Sequence, residues 1–187
     1  KHNHIHHIGI RSNGDGPILS DMGGIYTLGT QPGTVVHRNV FHDIAAFGYG
    51  GWGIYFDEGS STISAEGNLV YRTTHGGFHQ HYGRENTVRH NIFAFGRDQQ
   101  VQRSRLEEHV SFRFEYNVVC WDKGTLAASV WGDDLVVMDN NLYACADPGK
   151  LGTPDLTWGK WLEAGYDSNS QVAQVAFGDA EIDDYSV

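Results

Sequence analysis

The chain is short of cysteine, of proline, of basic residues and of long apolar runs. Two cysteines in 187 residues, Cys120 and Cys145, cannot build a disulfide framework, and they read as buried thiols. Four prolines against 24 glycines leave no Pro-rich linker and describe a chain that turns often. Thirteen Lys and Arg against 23 Asp and Glu give a formal charge of −10. That is the opposite of a surface that neutralises phosphates, so nucleic acid is not an expected partner. No apolar stretch approaches the roughly 20 residues that cross a bilayer, and the amino end shows no basic-then-apolar leader, so neither a membrane span nor a signal peptide is read here. What remains, 40% hydrophobic and 19% charged residues, fits one folded domain.

What the chain does have is a repeat. The phrase Asn-apolar-apolar recurs as Asn39-Val40-Phe41, Asn68-Leu69-Val70, Asn91-Ile92-Phe93, Asn117-Val118-Val119 and Asn141-Leu142-Tyr143, in steps of 29, 23, 26 and 24 residues. A weaker copy stands at Asn3-His4-Ile5. Periods in the twenties are those of solenoids, and the chain lacks the leucine ladder of a leucine-rich repeat. Each period has room for two to three short strands. Ahead of each asparagine runs a stretch that alternates apolar with polar residues, such as Val110-Ser111-Phe112-Arg113-Phe114, as a strand with one buried face does. Asparagine tolerates the left-handed bend of a sharp corner, and its amide can bond to the coils on either side, so a stacked ladder accounts for the spacing. Five unrelated Asn turns in a sandwich are the alternative.

A second set of strands aligns Ile25, Ile54, Phe78, Val101 and Ala127 as an inward row. Tyr26, Tyr55, His79 and Gln102 then form an outward row, and two positions further on Asp57, His81 and Ser104 face the same way if alternation holds. Residues 1–147 therefore read as coils of a right-handed parallel β-helix, about six in number, in an all-β fold. Residues 148–187, with Trp158, Trp161 and the acidic run from Asp179 to Asp184, read as an irregular last coil or a covering segment of the same domain. A solenoid needs capped ends. Neither end shows a helix or a polar plate, which predicts a piece of a longer β-helix.

Three phrases carry a resemblance: Ser20-Asp21-Met22-Gly23-Gly24-Ile25-Tyr26, Gly53-Ile54-Tyr55-Phe56-Asp57-Glu58-Gly59 and Gly76-Gly77-Phe78-His79-Gln80-His81-Tyr82-Gly83. Over roughly Asn3 to Asp147 the chain resembles the bacterial right-handed parallel β-helix proteins grouped near glycoside hydrolase family 141. The resemblance implies action on a plant or microbial polysaccharide or oligosaccharide, with two acidic residues in acid/base roles. It makes Asp21 and Asp57 the candidates and an extracellular or periplasmic site the expected compartment. A β-helix by itself does not establish catalysis.

Glycoside hydrolysis commonly needs two carboxyl groups about 5–5.5 Å apart for retention or about 6.5–9.5 Å for inversion. Asp57 is an outward acid in a polar wall, or else a turn residue before Gly59. Asp21 lies five residues before Tyr26, whereas Asp57 lies two after Tyr55. Straight strands in register would separate the two by roughly 23 Å at about 3.3 Å per residue. Either Gly23-Gly24 breaks the strand and folds Asp21 back over the wall, or the partner is another acid, with Glu58 the nearest and Glu85 more distant. His79 and His81 share a face and suit contacts to sugar hydroxyls. A His-x-His pair alone is a weak metal signal, and no metal or cofactor is called for. His2, His4, His6 and His7 read as exposed or terminal. Tyr26, Tyr55, Tyr82 and Trp131 are candidates to stack on sugar rings, or else stack between coils. Gln102 stands in the outward row, and Arg103 and Arg105 either meet an acidic sugar or pair with Glu107 and Glu108.

The leading expectation is a glycoside hydrolase. A polysaccharide lyase would instead abstract a proton beside a uronate with a basic residue such as Arg103, and a non-catalytic carbohydrate-binding module would need no acid pair.

Overall fold

The computed structural model describes residues 1–10, 15–180 and 183–186. Glu181 and Ile182 of the acidic run, and Val187, lie outside the described residues. The fold is a parallel β-solenoid of about six turns whose strands stack into three sheets. The sheet that follows the asparagines has seven strands: His4–Ile8, Val40–Ile44, Leu69–Thr73, Ile92–Ala94, Val118–Trp121, Leu142–Cys145 and Gln171–Val172. The cleft sheet has five: Gly23–Thr27, Trp52–Phe56, Gly76–Gln80, Gln99–Arg103 and Thr125–Ser129. The third sheet comprises Val35–His37, Ser64–Glu66, Asn86–Arg89, Phe112–Glu115 and Val136–Asp139. Each full period thus carries three strands.

The register of the cleft sheet is the one that the alignment predicts. Ile25 pairs with Ile54, Ile54 with Phe78, Phe78 with Val101 and Val101 with Ala127. Ile54, Phe78, Val101 and Ala127 are wholly buried, each of the larger side chains being worth about 1.5–3 kcal/mol on removal from water. The prism is narrow, and Phe78 meets Phe112 edge-on with ring centroids 5.1 Å apart. A Cβ on Gly24 would sit 3.1 Å from the Phe41 ring, and Cβ atoms on Gly53 and Gly77 would run into Val70 and Phe93. This glycine column is what lets the cleft sheet close on the asparagine sheet.

The asparagine ladder is continuous. The side-chain amide of Asn3 donates to Oδ1 of Asn39, Asn39 to Asn68, Asn68 to Asn91, Asn91 to Asn117 and Asn117 to Asn141, at 2.9–3.2 Å. Each oxygen also accepts the main-chain N–H of the asparagine one coil earlier. The left-handed bend is not at the asparagine. It falls one residue earlier, on His2, Arg38, Gly67, His90, Tyr116 and Asn140, all with φ between 49° and 62°. The bend turns the asparagine inward, and the hydrogen bonds then select the residue type.

Residues 148–167 fold over the last coil and contain a six-residue helix, Trp158–Glu163, where the sequence reading expects none, while Asp183 and Tyr185 reach back to Arg72 and Tyr71 of an earlier coil. Trp158 and Trp161 stand three apart on one helix face. Trp161 is fully buried and packs on Trp131 and Tyr166, with centroids 5.1 and 4.5 Å apart. The ladder ends on Asp167, which accepts from Asn141, Tyr143, Trp161 and Ser170. Burial pushes the Asp167 carboxyl above its usual range in spite of these donors. The folded chain therefore holds this proton more tightly than the unfolded chain does. The stability that it contributes is fully present below about pH 3.9 and is lost as pH rises through the raised folded value. The stability gap between wild type and Asp167→Asn is expected to shrink as pH rises from about 4. Urea melts at a series of pH values measure it, and a gap that widens with pH would reverse the assignment.

Cys120 and Cys145 are free, and they are half-buried rather than buried. Burial raises the Cys120 thiol to about 11.

Candidate active site

The outward row of the cleft sheet is built as the register requires, Tyr26 beside Tyr55, Tyr55 beside His79 and His79 beside Gln102. It opens onto a cleft of about 350 Å³ lined by Asp21, Asp57, Glu58, Tyr55, His79, His81 and Gln102, together with Tyr49, Trp52, His75 and Ser104. Seven of the ten residues that sequence reasoning put forward thus line one cavity. Tyr26 is bonded to Asp57, while Arg103 and Trp131 lie elsewhere.

Asp57 follows the strand Trp52–Phe56 and is buried; alternation holds through Phe56, which points into the core. The Tyr26 hydroxyl donates to Asp57 Oδ2. Burial and then the bond to Asp57 push the Tyr26 hydroxyl well above its usual range, and the same two causes act on Tyr55. Asp21 bears on both hydroxyls as well, though less than Asp57 does. Both carboxylates thus act on the two tyrosine hydroxyls, Asp57 the more strongly.

Asp21 does not reach the cleft through a break at Gly23-Gly24. Gly23–Thr27 is an unbroken strand in register with Trp52–Phe56. The fold-back is at Asp21 itself, whose φ is 57° and whose N–H donates to the Tyr49 carbonyl at 3.0 Å. The main chains of the two acids flank opposite ends of the paired strands, and their side chains line one cleft. Asp21 Oδ1 is buried with no hydrogen-bond partner among the described residues. Glu58 is exposed on the cleft wall.

The histidines are tied together by Ser104, whose Oγ lies 2.8 Å from Nε2 of His79 and 2.8 Å from Nδ1 of His81. One hydroxyl donates one hydrogen, so one imidazole accepts it and the other donates to the oxygen. Burial holds His79 well below its ordinary value, with His81 and His75 adding to the effect, so it acts as a neutral hydrogen-bonding group. Its Nδ1 is buried without a hydrogen-bond partner among the described residues.

Trp52 and Tyr49 were hidden from the sequence reading. Counting outward from Ile54 by twos makes Trp52 an inward residue, but the inward glycine column shifts the alternation and Trp52 faces the cleft, donating from Nε1 to Gln102 Oε1 at 2.9 Å. Tyr55 is 4% exposed and stacked on His79 at 4.6 Å, so its faces are not free for a sugar ring. The exposed aromatics of the site are Tyr26 and Tyr49.

Arg103 is inward. Its guanidinium donates to Asp133 at 2.6 Å and to the Val130 carbonyl at 2.9 Å, which leaves it out of the cleft. The same alternation that puts Gln102 outward requires this. Trp131 packs on Trp161 under the covering segment, again away from the cleft. Arg105 lies over the Tyr82 ring at 4.6 Å rather than on Glu107 or Glu108. Comparison of the chain with known proteins finds no match among family models, curated proteins or solved structures.

Proposed function

We propose that the chain is a carbohydrate-active enzyme that hydrolyses glycosidic bonds of a polysaccharide or oligosaccharide in this cleft, outside the cytoplasm. The observation that carries the reading is that Asp21 and Asp57 line one cavity together with the exposed Tyr49 and the neutral imidazole of His79. Paired carboxyls are the machinery of glycoside hydrolysis. The likeness of Ser20-Asp21 and Asp57-Glu58 to the glycoside hydrolase family 141 group supports the same pair.

The roles divide by environment. Asp57, fixed by the Tyr26 hydroxyl, suits the base or nucleophile. Asp21 suits the acid, since a glycosidic oxygen bridged to it by a proton supplies a partner for the oxygen that lacks one. Tyr26 and Tyr49 offer faces for sugar rings, and His79, His81 and Gln102 offer hydrogen bonds to hydroxyls. A lyase base is poorly served, because Arg103 is buried in its ion pair with Asp133.

The test is incubation of the full chain with a panel of plant and microbial polysaccharides. New reducing ends without unsaturated uronides are the expected product. Unsaturated uronides would replace this reading with the lyase, and tight retention of a glycan without product would replace it with a binding module.

A further inference from the structure

The outer face of the asparagine sheet, a different face of the prism from the cleft, carries four imidazoles on its first two strands. His42 is the hub. It is 5% exposed, and its ring centroid lies 4.9 Å from that of His4, 5.0 Å from His6 and 5.9 Å from His7. His7 would point away if the strand alternated, but its φ of 55° turns it, and its Nδ1 lies 2.7 Å from Nδ1 of His6. Donor atoms of His7, His42 and Asp43 all fall within 4.8 Å of one another.

The tautomer of His42 follows from its neighbours. Asp43 accepts from two nitrogens of the Arg72 guanidinium at 2.8 Å, the third donating to Asp183, and lies 2.6 Å from Nδ1 of His42. With each of its oxygens accepting from the Arg72 guanidinium, the Asp43 carboxylate acts only as an acceptor, and Nδ1 of His42 carries the hydrogen. The lone pair of His42 is then on Nε2, which faces Nε2 of His4 at 2.7 Å. A carboxylate that orients an imidazole by its far nitrogen is the usual support of a metal-bound histidine.

We propose that these imidazoles bind one late first-row divalent cation, of which Zn²⁺ is the type, with His7 and His42 as ligands and exposed His4, whose Nε2 already lies 2.7 Å from Nε2 of His42, swinging in as the third. Asp43 is the positioning residue, because its own oxygens are taken. Two imidazoles on one tetrahedral ion at about 2.0–2.1 Å hold their nitrogens about 3.3 Å apart, so the His4 to His42 gap opens by about 0.6 Å. Exposed His4 has the freedom for that. Nitrogen donors select zinc, nickel or copper over calcium and magnesium. The site is a property of the fold: His4 and His42 are 38 residues apart and meet only because adjacent coils stack.

The experiment titrates the chelator-treated full chain with ZnCl₂ by calorimetry and repeats thermal melts with and without the ion. One Zn²⁺ per chain is expected, with a rise in melting temperature that Ca²⁺ and Mg²⁺ do not give. A flexible histidine run binds the unfolded chain equally well and gives no such rise. His4→Ala/His7→Ala, both at exposed positions that do not test folding, is expected to lose at least tenfold in affinity and the thermal shift with it. Asp43→Asn is expected to lose about 10–100-fold, and His79→Ala/His81→Ala in the cleft to bind as wild type does. Binding that survives His4→Ala/His7→Ala, binding without a thermal shift, or no saturable binding would each overturn the proposal.

Discussion

Replacement of Asp57 by Asn is expected to lower turnover by about 10³-fold while glycan affinity stays within about an order of magnitude, the range that a positioned acid or base contributes. The substitution keeps shape and keeps an oxygen to accept from the Tyr26 hydroxyl. It removes the charge and the ability to take up a proton or attack a sugar carbon. Tyr26→Phe keeps the carboxyl and removes its donor, and a smaller loss, about tenfold, is expected from it. The check is reducing-end release for each variant beside a melt that shows it folded. Undiminished turnover in Asp57→Asn would end the carboxylate assignment. Asp21→Asn supplies the second arm: if Asp21 is the acid, substrates with good leaving groups, which need no proton, should suffer far less than natural glycans do.

The parts of this molecule that were legible in the sequence are those in which one physical demand recurs at every coil. A buried amide column requires asparagine at each level, and an inward row requires apolar residues, so Asn39 to Asn141 and Ile54 to Ala127 announce both coil and register. The placement of Asp57, His81 and Ser104 on one wall followed from the same count. What was not legible belongs to local departures from the count. Glycines narrow enough for Val70 and Phe93 to fill their place shift Trp52 to the cleft side. A left-handed residue at Asp21 brings its carboxyl into the cleft without breaking the strand. The cluster around His42 needs a bend at His7 as well as the stacking of two coils; the Asn3 and Asn39 copies of the repeat announce the stacking, but the bend has no sequence signature. Asp167 looks like any loop acid until Trp161, Tyr143 and Asn141 converge on it.

Asn91→Ala is expected to cost about 3–5 kcal/mol, close to 10 °C in melting temperature for a chain of this size. Asn91 is 1% exposed and sits mid-ladder. Its Oδ1 accepts the main-chain N–H and the side-chain amide of Asn68, both at 2.9 Å, and its own amide donates to the Ala65 carbonyl and to Asn117 Oδ1, both at 3.0 Å. Truncation leaves the Asn68 N–H and the Ala65 carbonyl buried without these partners, at about 1–3 kcal/mol each, and opens a void besides. Asn3→Ala, at an exposed position just before the outermost strand, removes only the side-chain bond to Asn39 and keeps the main-chain N–H on Asn39 Oδ1, so it should cost under about 1 kcal/mol. Asn91→Asp separates the acceptor from the donor. It keeps an oxygen for Asn68 but places a carboxylate where there is almost no water, so its folded pKa is raised and its deficit should shrink as pH falls and the acid takes up a proton. Because each coil touches only its neighbours, the damage should be local. Hydrogen exchange in Asn91→Ala is expected to lose protection first around residues 65–69 and 91–94, ahead of the coil at Asn141. Equal small losses for Asn3 and Asn91 would mean that the stacked apolar rows, and not the ladder, hold the coils in register.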